Sequence, residues 1–502
     1  MAPSRGLAAR KLAARAAFLM ILHLTSSVAV LAKPSAAAKN RRLEQVDSHV
    51  SATELGRLRE EARQMFLFGF NGYMQHAWPK DELRPLSCGG HNSQGGIALT
   101  LIDALDSLVV FGEAEALQQA VLWLGDHLSL DVDARVHVFE LTIRALGGLL
   151  SAYQLLTRNQ ELLPQGRVDQ LLNLAIELGD RLLPAFQTPS GIPLSWVNLS
   201  KGVPEGEIRI TCTACATTLL LEFGVLSRLS GRPVYEQYAQ NAVEQVFGMR
   251  NPRTGLVGNT LDVDTRTWIR YDSSVGAGID SMYEYLAKAF LLFGNSSYLQ
   301  MFVEAYVAAM RHLRPIGSPW LGEADMRAGL PSPRAWVSSL SAFWPGMQAL
   351  VGQTEDAAPL FGNWTAVWRR WQGLPELFDM AGQQRHPLQR GYPLRPELME
   401  SACLLHAATG QGRYLEAGQV MQNTLVTRTA GVCGFASIAD VDTGALEDTM
   451  ESFFLSESTK YLYLLHSNAS SVADFLVLST EGHMLFPIED PASGVGPLQC
   501  MA

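Results

Sequence analysis

Charge is scarce in this chain, and basic charge is the scarcer kind. Only 18% of the 502 residues are Asp, Glu, Lys or Arg, acids outnumber bases 49 to 39, and the formal net charge is −10 with a pI near 5.6. Without a clustered Lys/Arg stripe the chain cannot neutralise a phosphate backbone, so it is not a nucleic-acid binder. Six cysteines are too few for a disulfide scaffold, though they suffice for one or two bridges in an oxidising compartment. GxSxG, HExxH, a P-loop and a strand-linked GxGxxG are all missing, which removes several common hydrolase, protease and nucleotide chemistries. With 47% hydrophobic residues, extensive disorder is excluded away from the ends and a large buried core is expected.

What is present begins with an address. Arg5, Arg10, Lys11 and Arg15 precede an apolar run over 16–32, which reads as a signal peptide cut after Ala32. The run is about the minimum length for a bilayer, so a signal anchor is the alternative. Both readings put the rest of the chain in the lumen of the secretory pathway. Sequons at Asn198, Asn295, Asn363 and Asn468 agree with that address. The expected organisation is a flexible segment over 33–47, one domain over 48–490 and a short tail over 491–502. The tail ends LQCMA, which is no receptor-read retrieval signal.

Within 48–490 one unit keeps returning: an apolar helix-length run, a short turn with Gly or Asn, then an amphipathic helix. Seven apolar runs occur, over 98–112, 138–156, 213–231, 278–294, 336–352, 395–410 and 450–465. Helices apolar nearly all round belong inside a large domain and amphipathic ones cover it. Their alternation predicts an all-α (α/α)7 toroid of inner and outer helices, with brief β stretches over 256–270 and 474–486. The closing stretch is expected to plug one end as a small hairpin.

The inner runs carry acids that a buried helix should lack: Asp103 and Asp106, Glu140, Glu222, Asp280 and Glu284, Glu397 and Glu400, and Glu457. Like charges at i, i+3 or i+4 repel even when exposed, and burying them costs more unless cations or hydroxyl donors compensate. Each alone reads as an ordinary solvated or salt-bridged acid. As a set they point to one acidic cavity, because a toroid brings the starts of all inner helices together. Phe453, Tyr283, Phe343 and Trp344 are the aromatic candidates for its wall. Such a cavity suits a sugar, and glycosidic cleavage needs two carboxyl groups. DALD at 103–106 could serve a prenyl-diphosphate metal site, but no basic phosphate cradle accompanies it. CTAC at 212–215 is a redox or zinc half-site by spacing; it has no second CxxC and leads into a helix, which favours a structural or single-bridge role.

Many ordered blocks, among them ELRPLSC (82–88), LTLIDALDSL (99–108), VFELTIRALGGLLSAY (138–153), TCTA (211–214), GAGIDSMYEYL (276–286), YPLRPELMES (392–401), MESFFLSESTKYLYLL (450–465) and STEGH (479–483), resemble glycoside hydrolase family 47. This family comprises the class I α-1,2-mannosidases, and the resemblance is strongest to its endoplasmic reticulum (ER) degradation-enhancing α-mannosidase-like branch. It spans about residues 60–486. It implies an (α/α)7 barrel, Ca²⁺, and an inverting reaction with acid and base about 6.5–9.5 Å apart. By motif, Glu140 is the implied general acid, Glu397 the general base and Asp280 the third essential carboxylate, with another assignment of the acid left open. Glu222, Arg395, Glu400, Phe453 and Glu457 would position the terminal mannose. Thr480 would ligate Ca²⁺, with Glu481 close by. Substrates would be high-mannose N-glycans of misfolded glycoproteins in the ER lumen, trimmed to mark them for degradation. Cys88 and Cys433 are implied partners in a bridge, or in a mixed disulfide with an ER protein disulfide oxidoreductase.

Two departures from the family pattern bear on this. Gly278 stands where the processing mannosidases tend to carry Arg, so branch preference should differ, and Cys215 replaces the Gly usual after TCTA. The rival functions are a mannose-binding lectin that keeps the pocket without cleaving, and a helical-toroid glucanase with no need for Ca²⁺.

Overall fold

The computed structural model describes residues 50–318, 320–332, 336–380, 384–467 and 477–488. The leader, the segment over 33–47, the sequon at Asn468 and the 491–502 tail lie outside them. Among the described residues no helix is long and apolar enough to cross a membrane.

The sevenfold repeat is the architecture. Seven amphipathic helices form the outer ring: Ala52–His76, Ala114–His127, Gln165–Leu182, Val234–Gly248, Ser296–His312, Thr354–Trp371 and Gly412–Arg428. The inner ring consists of Leu105–Phe111, Gly147–Arg158, Leu220–Ser230, Asp280–Phe293, Trp344–Leu350, Glu397–Thr409 and Thr459–Leu465, several of them preceded by short helical turns. Each inner helix turns quickly into its outer partner. Gly231 and Gly294 end two of them at φ 69° and 78°, a left-handed conformation that glycine adopts without strain. Asn295 then caps the next outer helix by accepting from the Ser297 amide at 3.0 Å.

The return loops, from an outer helix to the next inner one, are long and hold the strands. Among the described residues they form six small antiparallel sheets of two or three strands, and the closing hairpin makes a seventh, rather than the two stretches expected. Strand pairs such as Glu82–Arg84 with Gly89–His91 and Arg135–His137 with Trp196–Asn198 deliver the chain to the starts of the inner helices. The loops therefore gather at the end of the toroid where the inner helices begin. The closing hairpin, Val477–Leu478 with Met484–Leu485, packs against the helices Gly147–Arg158 and Asp280–Phe293, as a plug should.

One feature departs from the run-then-partner order. The seventh inner helix has its outer partner at the front of the chain, Ala52–His76, so the first and last helices form the seventh hairpin and close the ring. Further ties cross the same seam. Gln422 donates to the Leu58 carbonyl at 3.0 Å, Met450 N–H donates to Leu83 O at 3.1 Å, and Cys88 is bonded to Cys433 across 345 residues. The bridge implied by the resemblance is thus formed. Cys212 and Cys215 are also bonded to each other, and Cys403 is free and buried.

Two glycines of the first helix test this closure. A Cβ on Gly72 would lie 1.6 Å from the Cys433 carbonyl oxygen, whereas one on Gly56 meets nothing within 4 Å. Gly72→Ala should lower stability by about 1–3 kcal/mol or more through overpacking. Gly56→Ala should raise it by about 0.5–1 kcal/mol through helix propensity. Thermal unfolding followed by circular dichroism checks both, and equal midpoints would contradict the seam.

Candidate active site

The long loops and inner-helix starts bring the acids to one place. Asp280 and Glu397 are each the first residue of an inner helix. Glu140 closes a short turn, Val138–Glu140, which follows the strand Arg135–His137. Two inner helices begin as π-helical segments, Leu141–Leu146 and Phe454–Ser458, a form common at functional sites. They carry Arg144 and Glu457. Leu394, buried and non-glycine, sits at φ 64° just before Arg395, and its carbonyl is held by the Ser458 hydroxyl at 2.7 Å. That strained turn aims Arg395 and Glu397.

Arg144 is the hub of one half. Its guanidinium lies 2.8 Å from Glu140, 3.4 Å from Glu451, 3.7 Å from Glu82 and 3.8 Å from Glu481, with its carbon 5.3 Å from the centroid of the Phe453 ring. Burial alone would lower its pKa, but these four acids outweigh that and hold it well above the usual value. Glu140 and Glu451 keep 28% and 31% side-chain exposure, so this is the side open to solvent.

The other half is deeper. Lys288 pairs with Glu284 and stands 3.6 Å from Glu400. Tyr285 donates to Glu222 at 2.6 Å, and its oxygen accepts from the Thr480 amide at 3.4 Å, which places the plug turn against this group. Arg395 holds Glu376 through one guanidinium edge, donating from Nη2 at 2.8 Å and from Nε at 3.1 Å. Burial is the largest influence on the remaining acids. It raises Asp280 to about 7 and Glu222, Glu397 and Glu400 each to about 8, and it lifts Glu457 and Glu481 well above the carboxylate range. Mutual repulsion adds to this: Glu397 feels Asp280, Glu457 feels Glu481, Glu397 and Glu400, and Glu481 feels Asp103 and Glu140. Glu140, Glu222, Asp280, Arg395, Glu397, Glu400, Phe453, Glu457, Thr480 and Glu481 are linked to one another by these contacts and charge interactions.

Other acids have a different use. Asp106 is fully buried, 2.8 Å from Lys460 and 3.3 Å from His483, and accepts from Ser151 at 2.9 Å. Asp103 lies 3.0 Å from the other nitrogen of His483. This network fastens the plug to the first inner helix. The expectation that Tyr283 and Trp344 line the cavity is corrected. Tyr283 packs edge-on to Trp344 at 5.1 Å and Tyr306 stacks on Trp344 at 5.6 Å, all within the buried wall between the inner and outer rings, and Phe343 is buried beside them. Asn198 is 9% exposed, with its amide held by Asp133, so its sequon sits in a structured turn.

Arg144, Lys288, Lys460, His483, Glu82, Glu376 and Glu451 were not singled out. Their signal was available for the cations: a lone Lys or Arg inside an otherwise apolar run. Among the described residues, the one group of His, Cys, Asp or Glu side chains close enough to share a metal is His76, Cys88 and Cys433, and its two sulfurs are already bonded. No all-carboxylate cage exists there. However, Oε2 of Glu222, Glu397 and Glu481 is buried without a hydrogen-bond partner. Buried polar atoms are rarely left so, and these oxygens fit a hard cation, its waters or sugar hydroxyls.

Comparison with known proteins gives the family. The family model described as Glycosyl hydrolase family 47 matches residues 65–487. Alpha-mannosidase I MNS5 of Arabidopsis thaliana is 43% identical over 443 residues, which cover 85% of this chain and 76% of that one. The human ER degradation-enhancing alpha-mannosidase-like protein 2 is 41% identical, covering 84% of this chain and 74% of that one. Among solved structures, an alpha-1,2-mannosidase from Trichoderma reesei superposes with a TM-score of 0.79 at 25% identity, over 86% of this chain and 99% of that one.

The plug network makes stability depend on pH. Burial alone would lower the His483 pKa, but Asp106 and Asp103 raise it to about 9. The folded state thus holds a proton that the unfolded state gives up at its ordinary value. The stabilisation is complete below about pH 6.5 and is lost as pH rises through 9. Urea midpoints measured from pH 6.5 to 9 should fall more steeply in the wild type than in His483→Gln, and parallel slopes would contradict the assignment.

Proposed function

The chain belongs to glycosyl hydrolase family 47 and is a glycoside hydrolase, and from this premise we propose that it removes terminal α-1,2-linked mannose from high-mannose N-glycans with inversion. The supporting observation is that Asp280 acts on the charge of Glu397 and Glu140 on that of Glu481, among buried carboxylate oxygens that have no hydrogen-bond partner. Glu140 is the general acid, protonating the leaving glycosidic oxygen directly or through water, and Arg144 at 2.8 Å holds it in place. Glu397 is the general base: against the raising effect of burial Arg395 favours its ionised form, as the charge of a bound cation would, and the carboxylate takes a proton from the water that attacks the opposite face of the sugar. Asp280 is the third essential carboxylate. Glu222, Glu400, Glu457, Arg395, Phe453 and Glu481 orient the terminal mannose, their oxygens accepting from its hydroxyls.

The donor set fits Ca²⁺. Thr480 would hold the ion through hydroxyl and carbonyl oxygens, with waters hydrogen-bonded to the unpartnered oxygens of Glu222, Glu397 and Glu481. When bound it supplies positive charge that a cluster so rich in buried acids lacks, and oxygen coordination for the sugar.

Gly278 supports a branch preference distinct from that of the processing enzymes. It adopts φ 90°, and a Cβ there would meet the Asn259 amide at 2.8 Å, so a longer side chain is excluded unless that loop moves. The leader, the sequons and the names of the relatives support an ER lumenal enzyme acting on misfolded glycoproteins ahead of degradation. A protein disulfide oxidoreductase partner would act by opening the Cys88–Cys433 bridge, and a reducible high-mass band lost in Cys88→Ser would support it.

Incubation of the purified chain with a Man9 glycan and Ca²⁺ should release mannose, first as the β-anomer by proton NMR. Glu397→Gln should lose about 10²–10⁴-fold in rate while still binding the glycan. Chelation should abolish release and added Ca²⁺ restore it. Binding without release by the wild type would favour the lectin reading.

A further inference from the structure

The Cys212–Cys215 pair has no part in the chemistry above, and its position is unusual for a merely structural bridge. It closes a loop of only two intervening residues, so it constrains little of the unfolded chain, unlike the bridge across 345 residues. Both cysteines are half-buried at the loop end of the toroid, where the third inner segment begins. Cys212 Sγ accepts from the Cys215 backbone amide at 2.9 Å, a donor that would stabilise a thiolate on Cys212.

The two residues inside the loop are tied to the strand and turn that lead to Asp280. Thr213 N–H donates to Asn259 O at 2.9 Å and its hydroxyl donates to Gly258 O at 2.7 Å. Ala214 N–H donates to Gly278 O at 2.9 Å, and Asn259 donates to Ala277 O at the same distance. One helical turn further, the hydroxyls of Thr218 and Ser281 meet at 2.8 Å. The backbone from Ala277 to Ser281 is thus fastened to the CxxC loop on one side, and Asp280 lies within it.

We propose that Cys212–Cys215 is a thiol–disulfide exchange site whose oxidation state sets the position of the segment carrying Asp280. The thiolate of a dithiol reductant attacks Cys215 Sγ. The S–S bond breaks with its electron pair passing to Cys212, and the new S–S bond joins Cys215 to the reductant. Cys212 is the better leaving group, because the Cys215 amide holds its thiolate. The second thiol of the reductant then displaces Cys215, which leaves as a thiolate and takes up a proton. Two electrons pass to the pair and the reductant ends as its own disulfide; oxidised glutathione reverses the exchange. Reduction frees Thr213 and Ala214 from the closed loop and slackens their hold on Gly278. The coupling to sugar chemistry rests on Asp280 belonging to the active site, whereas the exchange itself does not.

The experiment equilibrates the native, Ca²⁺-loaded chain in glutathione buffers from fully reduced to fully oxidised. Free thiols are trapped by alkylation, assigned by peptide mass, and mannose release from a Man9 glycan is measured in parallel. Alkylation of Cys212 and Cys215 is expected in the folded chain before Cys88 and Cys433 react. The specificity constant for mannose release should change by about threefold or more with the same midpoint. Cys215→Ala should abolish that redox response while Cys403→Ser leaves it intact. A Cys212–Cys215 bond that persists until the chain unfolds would overturn the exchange, and a pair that opens with no change in mannose release would overturn the coupling. Alkylation is read without sugar, so a chain that releases no mannose in any buffer would count against the mannosidase reading and leave the exchange result standing.

Discussion

Burying acids is the constraint around which this molecule is organised. A carboxylate taken out of water must find a cation, find hydrogen-bond donors or give up its charge. The inner ring does all three in different places. Asp106 is satisfied by Lys460, His483 and Ser151, and Glu284 by Lys288. Arg144 alone faces Glu82, Glu140, Glu451 and Glu481. The other acids exceed the cations available, and burial pushes them toward the protonated form. Such an arrangement is a poor way to stabilise a fold, since a buried charge pair is at best weakly favourable and an unpaired one is costly. It makes sense as stored binding capacity: a ligand rich in hydroxyls, or a hard cation, satisfies what the protein leaves open.

The toroid makes this concentration feasible. Among the described residues, the long loops that join an outer helix to the next inner one fall on the end where the inner helices begin, while the inner-to-outer turns at the other end are tight. Each inner helix therefore contributes its first turns to the same space, and residues far apart in sequence, such as Glu140 and Glu481, come within reach of one guanidinium. Closure of the ring by the first and last helices, with the Cys88–Cys433 bond across the seam, keeps that space from opening. The plug hairpin enters from the chain's end and carries Thr480, Glu481 and His483 to the cluster, fastened by the Asp103–His483–Asp106 contacts.

Much of this was legible because the repeat is strong and the periods are clean. Seven runs apolar all round, each followed or preceded by an amphipathic helix, admit few arrangements other than two rings. The acids were legible for the same reason, since charge inside such a run has no bland explanation when it recurs. The strands were not legible. Segments of two to four residues, such as Asp272–Ser273 or Leu330–Pro331, carry no alternation pattern and are set by the loops' need to pair their backbone groups. The aromatic wall was misread because Tyr283 and Trp344 lie on the flank of their helices that meets the neighbouring element, and a run without polar residues does not reveal which flank faces the axis. Arg144, Lys288 and Lys460 were overlooked because a single cation in an apolar run resembles a snorkelling side chain until its acids are located.

The division of labour among the acids follows from which of them the fold equips with a cation. Asp106 and Glu284 face a Lys from their own or a neighbouring inner helix, and their removal would leave that cation stranded, so their role is architectural. Glu222, Glu397 and Glu481 keep one oxygen each without a partner. Asp280, which acts on the charge of Glu397, accepts from the Ser281 amide and hydroxyl, and it feels the charges of Glu284 and Arg395. Glu140 is different again: it is paired with Arg144 yet open to solvent. An acid that must give up and regain a proton belongs where water reaches it, while a base that activates one enclosed water belongs where bulk water does not. The exposed position of Glu140 and the enclosed position of Glu397 favour the proposed assignment of acid and base over its reverse, since exchanging them would put the attacking water at the open side of the cluster.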